Sequence, residues 1–476
     1  MNTRFLVPRP QEVNIGEGFH LLSDDSIFCA PEKFRNAVAA FARNFWKISP
    51  RFEPLAENAA ADGRYQVEIY AEKLIFHVNN EHDLSNAFKT LRQWAEAEPN
   101  QIRSDRQILA CGSFADAPAL GFRGIHLCYF RETDDFQLEK MLRMAAFYKF
   151  NYAVIEFWGT FPFVKYPQFQ WQEKRGNREF IQHLIKLSKE LDITLIPQFN
   201  FFGHASCSSI SNGWHVVLDQ APEFAPLFEP DGWTWCLSNP SVRQVQQEML
   251  EEIFDLFGDV PYFHLGFDEA FNANTCIQCS KSNYPQLLLE HIKFLHGILA
   301  KHDTRAILWH DMFLELDAEK WGSNINLDRN TPNPYEILEE LPRDIILADW
   351  HYNKPEADKN GVFWPTADHF AQKGFQVLLC PCVNQDGIIT MAEQAVDHNL
   401  AGMLETTWVA VSGTARWHKI FFITANKMWN RNWQPEIGFG DEYNVVNAHV
   451  RYIARDMKAA KREESGTIYT GYSFFP

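Results

Sequence analysis

Short apolar runs alternate with amphipathic stretches from Gly121 almost to the end of the chain. In one such stretch the apolar residues recur at helical spacing and form a single stripe, namely Val242, Val245, Met249, Ile253 and Phe257. Eight runs of strand length lie between the helices: "GFRGIHLCY", "NYAVIEFW", "DITLIPQFN", "PYFHLGFDE", "RAILWHD", "DIILADWHY", "FQVLLCP" and "LAGMLETTW". About eight strand-helix units in roughly 300 residues are typical of a closed (β/α)8 barrel. A doubly wound sheet would also alternate, but no glycine-rich phosphate turn follows the first run.

The pattern changes near residue 118. Before it, the strand-like runs "YQVEIYA" and "KLIFHV" are followed by a helix-like stretch with Leu84, Phe88, Leu91 and Trp94 on one face. The predicted fold class is therefore α/β, with a (β/α)8 TIM barrel preceded by a small α+β domain. We expect an accessory domain over residues 1–118, the barrel over 119–432, and a helical extension packed on the barrel over 433–476.

The run "FHLGFDEAF" begins like a buried strand and ends on two adjacent acids, Asp268 and Glu269. Neighbouring side chains of a regular strand point to opposite faces, so the two acids can share a site only where the strand opens into a loop. Active sites of (β/α)8 barrels form at the carboxyl ends of the strands, and this pair follows the fourth. We therefore predict that both acids are catalytic.

Aromatic residues close several other predicted strands: Trp158, Trp309, Trp350, Tyr352 and Trp408. Aromatic faces that converge on one barrel mouth would make an apolar box suited to a sugar ring, although some of these tryptophans could instead cap the barrel core. Arg131 follows the first strand, where it could bind sugar hydroxyls or pair with a loop acid.

Composition limits the partners. The formal charge of −17 would repel phosphate backbones and anionic lipids, so we expect neither nucleic acid nor a membrane surface as a partner. The first residues lack the apolar region of a signal peptide, and no run of about 18 apolar residues could span a bilayer. The nine cysteines are an odd number in a long chain, which favours reduced thiols and a cytoplasmic protein.

On its paired acids the chain resembles the family 20 glycoside hydrolases, the β-N-acetylhexosaminidases. Their motif HxGGDE is matched by "HLGFDE", which puts His264, Gly266, Asp268 and Glu269 on motif positions. "FRGIHLCYFR" is similar to the family's first barrel strand and puts Arg131 on the sugar-binding arginine. "FGHAS" is similar to the segment after the third strand and puts His204 on the family's histidine.

The resemblance extends beyond the motif. "LVPRPQEV" and "AFKTLRQW" resemble the family's small noncatalytic N-terminal domain. "VIEFWGTFPF", "LIPQFNFFGH" and "LWHDMF" look more like the intracellular hexosaminidase D branch than like secreted members. This agrees with the predicted cytoplasmic location.

The resemblance implies a retaining hydrolase in which the substrate's own 2-acetamido oxygen attacks C1. Asp268 would then hold the acetamide N–H while an oxazolinium forms, and Glu269 would protonate the departing oxygen and later activate water. Burial beside Asp268 would favour the protonated form of Glu269. Tyr352 is assigned to the acetamide oxygen and Trp408 to the floor beneath the sugar. Other substrate contacts are expected from His204, Trp309, Asp311 and Trp350, and neither a cofactor nor a catalytic metal is expected.

Several supporting residues depart from the family pattern. Glu156 and Gly159 in "EFWG" and Gln198 and Asn200 in "PQFN" replace residues that support the acids in secreted members, Phe267 replaces the second glycine of the motif, and an aspartate expected near Cys128 is absent. The acid pair is intact, but these changes leave the substrate range and the rate open, as well as the choice between glucosamine and galactosamine.

Three other functions remain open. The chain could be a non-catalytic sugar-binding relative, or it could belong to another acetamido-sugar hydrolase family that uses the same Asp-Glu pair. A metal-dependent barrel hydrolase would need ligands such as His126, His204, His264 and His310, but "IHLCY" lacks the His-x-His of that class. Separately, "CIQC" could form half of a zinc site completed by Cys207 and Cys236, although we expect free thiols there.

Overall fold

The computed structural model describes residues 3–56, 64–97, 108–172, 174–206, 208–209, 214–321, 334–358, 360–408, 415–435 and 439–457. A six-stranded sheet occupies the first part of the chain. Its strands are β1 (Glu12–Leu21), β2 (Ile27–Pro31), β3 (Arg51–Leu55), β4 (Tyr65–Ile69), β5 (Lys73–His77) and β6 (Ile108–Asp116), and they lie in the order β1-β6-β4-β5-β2-β3.

Two helices, α1 (Arg35–Trp46) and α2 (Glu81–Glu96), pack on this sheet. The apolar stripe predicted for the second helix is completely buried there, since Leu84, Phe88, Leu91 and Trp94 all have no exposed surface. The small α+β unit is joined to the rest of the molecule by a buried polar contact. Trp429 Nε1 donates to Asp116 Oδ1 at 2.7 Å, and Lys149 Nζ lies 3.1 Å from Asp116 Oδ2.

Eight parallel strands close into a barrel, which confirms the predicted fold class. They are β7 (Phe122–Tyr129), β8 (Tyr152–Phe157), β9 (Thr194–Gln198), β10 (Tyr262–His264), β11 (Arg305–Trp309), β12 (Ile346–Trp350), β13 (Gln376–Cys380) and β14 (Gly402–Glu405). Each apolar run singled out in the sequence supplies one strand. The ring is closed by β14, which pairs with β7 in the register Gly402↔Phe122.

Helices surround the barrel: α3 (Asp135–Phe147), α4 (Arg178–Glu190), α5 (Pro240–Phe257), α6 (Tyr284–Ala300), α7 (Pro365–Gln372), α8 (Gln385–Asp397), α9 (Ala415–Trp429) and α10 (Phe439–Asp456). Shorter pieces are the helices Val216–Gln220 and Ala318–Trp321 and the paired segments Ser208–Ser209 and Trp214–His215. The helix α10 falls in the predicted C-terminal extension and packs against α3 and α9. Among the described residues no helix combines the length and apolarity needed to cross a bilayer.

Alternate residues of each barrel strand face its interior, because side chains alternate along a strand. One buried cluster fills that interior, and its members include Val154, Ile196, Ile307, Trp309, Ala348 and Leu404. The larger core lies between the strands and the surrounding helices. The carboxyl ends of the eight strands therefore form one mouth above a packed interior.

Candidate active site

The acid pair lies in a loop that begins much earlier than the sequence pattern indicates. The strand β10 ends at His264, and the next residues have backbone angles outside the strand region, with φ of 75° at Gly266, 82° at Phe267 and 47° at Glu269. These left-handed positions break the alternation of a regular strand. The two adjacent acids can therefore present their carboxylates to the same side.

The neighbouring loop after β9 lies directly against the acid pair. A Cβ atom on Gly203 would come within 2.0 Å of the backbone oxygen of Asp268, so only glycine allows this approach. The next residue, His204, has a φ of 51° and brings its ring between the acids. His204 Nε2 lies 3.6 Å from Asp268 Oδ2 and 3.5 Å from Glu269 Oε2. The predicted pair and the predicted histidine thus form one cluster.

The ring of His204 contacts two tryptophan rings. Its ring centroid lies 5.3 Å from that of Trp158 and 4.6 Å from that of Trp233. Burial alone would lower the pKa of His204, but the charges of Asp268 and Glu269 hold that pKa well above its ordinary value. A protonated His204 offsets part of the negative charge that the two carboxylates bring into the mouth.

The two acids differ in their surroundings. The side chain of Asp268 is 7% exposed, whereas that of Glu269 is 27% exposed. Burial raises the pKa of Asp268 to about 6, against the opposing effect of His204. Asp268 Oδ1 is buried and has no hydrogen-bond partner within the described part of the chain. Asp268, and not Glu269 as expected, is therefore the more buried acid of the pair. One of its oxygens can accept a hydrogen bond from a bound molecule.

Asp311 supports the acid loop from behind. Its Oδ2 accepts the backbone N–H of Glu269 at 3.0 Å, and its Oδ1 accepts from Trp350 Nε1 at 3.3 Å. The sequence predicts Asp311 and Trp350 only as substrate contacts. In the structure Asp311 also holds the backbone of Glu269 in place and connects it to Trp350, the last residue of β12.

Aromatic side chains line the opposite part of the mouth. Trp350 and Tyr352 stack with ring centroids 5.1 Å apart, and Trp408 Nε1 donates to the Tyr352 hydroxyl at 2.5 Å. Trp309 lies beneath Trp408 at 5.2 Å and has no exposed surface. Its ring belongs to the cluster that fills the barrel interior, so contact of Trp309 with a sugar stays a prediction that the buried position does not favour.

Arg131 lies in the loop two residues beyond the end of β7. Its guanidinium sits 4.8 Å above the ring of Trp171, and its Nε lies 3.2 Å from Glu132 Oε1. Trp171 in turn donates to the backbone oxygen of Trp158, whose ring contacts His204. Through these tryptophans the arginine is connected to His204 and the acid pair, and its side chain remains 34% exposed.

Two of the residues noted above as departures, Glu156 and Asn200, form a polar network with His126 inside the barrel. Glu156 Oε2 lies 3.0 Å from His126 Nε2, and Glu156 Oε1 accepts from Asn200 Nδ2 at 3.1 Å. Burial would raise the pKa of Glu156, but His126 and Asn200 hold it below its ordinary value. Gln198 is fully buried, and within the described residues neither of its amide atoms has a partner.

The histidines considered as metal ligands are distributed among separate groups. His126 joins Cys128 and Glu156, His204 joins the acid pair, and His310 joins Asp349 and His351. In the described chain no cluster of possible ligands contains two of His126, His204, His264 and His310. This distribution does not favour a shared metal site built on those four residues.

Trp233 is a site residue that the sequence analysis missed. Its ring packs on His204, and its Nε1 donates to the backbone oxygen of Glu269 at 2.6 Å. It lies in "DGWTWC", in the long connection between β9 and α5, far from any predicted strand end. Only the cluster of two tryptophans in that connection could have drawn attention to it.

Comparisons with known proteins agree with this barrel. Residues 170–383 match the family model "Glycosyl hydrolase family 20, catalytic domain", a range that contains the acid pair and His204 but not Arg131 or Trp408. No curated protein matches the chain. On this family match the chain is a glycoside hydrolase.

Solved structures show the same architecture at low sequence identity. The β-N-acetylhexosaminidase from Bacteroides fragilis is 18% identical, with a TM-score of 0.67 over 98% of this chain and 99% of that one. The chitobiase from Flavobacterium johnsoniae is 15% identical, with a TM-score of 0.67 over 98% of this chain and 75% of that one. The β-N-acetylhexosaminidase from Streptomyces coelicolor is 13% identical, with a TM-score of 0.65 over 95% and 97%.

Proposed function

We propose that this protein is an exo-acting β-N-acetylhexosaminidase that removes terminal β-linked N-acetylglucosamine, N-acetylgalactosamine or both, with retention of configuration. The observation that carries the proposal is the contact of Asp268 and Glu269 with one imidazole, that of His204, at the mouth of the barrel. The enzymes named in the structural comparison, which include a chitobiase and β-N-acetylhexosaminidases, support this substrate class.

The position of the two acids supports a nucleophile that comes from the substrate. Retaining enzymes that use their own nucleophile place two carboxyl groups about 5–5.5 Å apart on opposite faces of the sugar. Here the two acids are adjacent in one loop, and both approach the same nitrogen of His204. Only one of them can therefore protonate the leaving group while the other lies beside it. The 2-acetamido oxygen of the substrate supplies the attack on C1.

In the first step the acetamide oxygen forms a bond to C1 as the bond from C1 to the leaving oxygen breaks. Glu269 gives its proton to that oxygen, and Asp268 accepts the acetamide N–H, so that the positive oxazolinium lies next to a carboxylate. The buried and unpartnered Oδ1 of Asp268 suits this role, because an acceptor without a protein donor is available to the substrate.

In the second step Glu269, now ionised, takes a proton from water as the water oxygen attacks C1 from the side the leaving group vacated. The bond from C1 to the acetamide oxygen breaks, and the product sugar keeps the β configuration. The 27% exposure of the Glu269 side chain supports this role, because water can reach it. His204, Trp233 and Asp311 position the two acids during both steps.

The sugar would lie between the aromatic side of the mouth and Arg131. The Tyr352 hydroxyl accepts from Trp408 and so retains its own proton for the acetamide oxygen. Trp408 would form the floor beneath the ring, and Arg131 would bind its outer hydroxyls. Trp350 shapes the same wall through its stacking on Tyr352.

The test is a panel of nitrophenyl β-glycosides that differ only at C2. We expect turnover of the N-acetyl-glucosaminide or N-acetyl-galactosaminide and little turnover of the plain glucoside and galactoside. Comparable rates on the plain glucoside would rule out participation of the acetamide. Binding of N-acetylglucosamine without turnover would favour the non-catalytic relative, whose possibility rests on the altered network around Glu156. Short chitin oligosaccharides test exo action, because only monosaccharides should be released, and from the non-reducing end.

A cytoplasmic location is the second part of the proposal. The segments around "LIPQFNFFGH" that resemble the hexosaminidase D branch support it, and so do the eight described cysteines, none of which forms a disulfide within the described residues. Fractionation of cells that express the natural protein, with activity measured in each fraction, tests this location. Activity confined to the secreted fraction would contradict it.

A further inference from the structure

Three cysteine sulfurs and a buried carboxylate meet beside the catalytic loop. Cys236 Sγ lies 3.6 Å from Cys276 Sγ and 3.7 Å from Cys279 Sγ. Glu229 contributes a carboxylate oxygen to the same group, in which all four possible ligand atoms lie within 4.8 Å of one another. Cys207, which the sequence analysis considered as the fourth thiol, lies outside the described residues. Glu229 carries no sequence signal and emerges only from the fold.

The distances between the sulfurs match a metal site better than a disulfide. Two sulfurs joined by a disulfide lie about 2.05 Å apart, whereas two thiolates at about 2.3 Å from a tetrahedral zinc ion lie about 3.8 Å apart. Cys236 holds that second spacing to both of its neighbours at once. All three sulfurs lie within 4.8 Å of one another, so the arrangement approximates three corners of a zinc tetrahedron.

The two cysteines of the Cys-x-x-Cys segment are already arranged as ligands. The backbone N–H of Cys279 donates to Cys276 Sγ at 3.2 Å, a bond that stabilises a thiolate. Cys236 and Cys279 are buried, which shields the sulfurs from solvent. The spacing of two residues between Cys276 and Cys279 is the one that zinc sites use most widely.

Glu229 is fixed in place by the same segment. Its Oε2 accepts the backbone N–H of Cys276 at 2.6 Å, and it also accepts the backbone N–H and the hydroxyl of Thr275 at 3.0 and 3.1 Å. All three bonds end on Oε2, so Oε1 can bind a metal without breaking them. The side chain is buried, so an ionised carboxylate there gains from a cation nearby.

We propose that Cys236, Cys276, Cys279 and Glu229 bind one zinc ion as a closed, structural site. Binding converts three thiols to thiolates and releases their protons to solvent, and no other bond changes. Three thiolates and one carboxylate carry the same formal charge as the four thiolates of common structural zinc sites. The sequence alone favours free thiols here, and the position of Glu229 reverses that preference.

The site would fix two loops of the catalytic mouth to each other. Glu229 and Cys236 belong to the connection that carries Trp233, while Cys276 and Cys279 follow the acid pair by a few residues. Trp233 Nε1 already donates to the backbone of Glu269 across the same boundary. A metal at this boundary is a positioning device for the acid loop and takes no part in bond cleavage.

The first test is the metal content of the purified full-length protein, grown with zinc and passed through a desalting column. We expect about one zinc per chain in the wild type and in Cys111→Ser, a control that removes a thiol of the distant six-stranded sheet. Cys279→Ser and Cys236→Ser should lose the ion, and Glu229→Gln should bind it at least tenfold more weakly. Equal zinc in Cys279→Ser and in the wild type would show a metal bound elsewhere and overturn the proposal.

A second measurement uses only the wild type, in case the cysteine variants fail to fold. After removal of zinc by a chelator, cobalt(II) should restore a thiolate-to-metal charge-transfer band and the visible bands of tetrahedral cobalt. The melting temperature should fall on chelation and recover with zinc. No bound zinc, no such spectrum and an unchanged melting temperature would refute the site. Full affinity in Glu229→Gln would refute its assignment as the fourth ligand. These readouts do not depend on the proposed glycosidase activity.

Discussion

Two buried aspartates near the carboxyl ends of barrel strands have opposite surroundings. Asp349, on the regular strand β12, has no exposed surface, and its Oδ1 lies 3.0 Å from His310 Nε2 and 2.9 Å from His351 Nε2. Thr366 donates its hydroxyl to the other oxygen at 2.8 Å. Burial alone would raise the pKa of Asp349, but the two histidines hold it below its ordinary range.

Asp268 has no comparable set of protein partners. It follows two residues with left-handed backbone angles, one of its oxygens is unpartnered in the described chain, and burial raises its pKa to about 6. The difference shows what each carboxylate is for. Asp349 pairs at ion-pair distance with two histidines and accepts from the Thr366 hydroxyl of α7, although its Oδ1 contacts do not meet hydrogen-bond geometry. Asp268 has one histidine, His204, at 3.6 Å, so its burial costs stability that a donor on the substrate can offset.

The largest expected difference between the two regions is in catalysis. Glu269→Ala should lose roughly 10² to 10⁴ in rate on a natural glycan, because a poor leaving group needs its proton. With a nitrophenolate leaving group, bond cleavage should be largely spared in the same variant. Asp268→Ala should slow both kinds of substrate, because the acetamide nucleophile is no longer oriented.

The contrast between the acids is measured by the dependence of rate on leaving-group pKa. A steep dependence for Glu269→Ala and an unchanged one for Asp268→Ala are expected. The matched control is Asp349→Asn, which should alter rates on both substrates equally and only through loss of folded protein. The same leaving-group dependence in both acid variants would remove the division of labour, even if both residues proved essential.

Replacement of Asp349 should reduce stability more than replacement of Asp268, the reverse of their expected effects on activity. Asp349→Asn should lower the free energy of unfolding by about 3–5 kcal/mol, because it removes the shared partner of two buried histidines. Asp268→Asn should leave that free energy unchanged or raise it, by at most about 3 kcal/mol for a pKa shift of this size. Urea unfolding at neutral pH measures both. A large loss of stability in Asp268→Asn would mean that Asp268 is a structural acid like Asp349.

The sequence was sufficient for the barrel, because each strand is a short apolar run and the amphipathic helices between them fix the period. It also placed Asp268, Glu269 and His204 near one mouth. It was not sufficient for the end of β10, which stops at His264 because the backbone turns at Gly266. Backbone angles of Phe267 and Glu269 carry no residue-type signal, since neither residue favours them.

Contacts between loops that are distant along the chain could not be predicted from the sequence either. Glu229 lies 47 residues before Cys276, with which it bonds, and nothing in its neighbourhood marks it as a ligand. Asp311 could be recognised as polar and close to a strand end, but its bond to the Glu269 backbone depends on how the acid loop folds. The burial of Trp309 is likewise set by the packing of Trp408 over it.

Between about pH 7 and pH 5, the protonation of Asp268 should change activity and stability, whereas Asp349 should stay ionised. Asp268 has a raised pKa, so it takes up a proton as the pH falls through about 6, and kcat/KM should then fall by about tenfold per pH unit. The same protonation relieves a buried charge, so the Asp268 contribution to stability should rise in this range. Asp349, with its depressed pKa, keeps its contribution until the pH falls below about 4.

Activity and unfolding measured on the same samples test this difference. Activity should fall below pH 6 while the protein stays folded, and Asp268→Asn should lack the accompanying change in stability. A rate that is flat from pH 7 to pH 5 would contradict the raised pKa of Asp268. A melting temperature that collapses near pH 6 would instead assign the loss of activity to unfolding.

The smallest effect concerns the backbone that carries each acid. Phe267 is fully buried and stacks on Phe202 at 5.3 Å, yet it has a φ of 82°, which glycine adopts far more readily. Replacement of its ring by either alanine or glycine should cost about 3–5 kcal/mol of packing. Only glycine also relieves the left-handed strain, so Phe267→Gly should be more stable than Phe267→Ala by about 1–2 kcal/mol.

The matched control is Ala348→Gly, on the regular strand β12 beside Asp349, where glycine should be less stable than alanine by about 0.5–1 kcal/mol. The sign of the alanine-to-glycine difference, measured by urea unfolding, should therefore be opposite in the two regions. If glycine were the less stable residue at both positions, the backbone around Asp268 would hold no strain, and the acid pair would owe its geometry to packing alone.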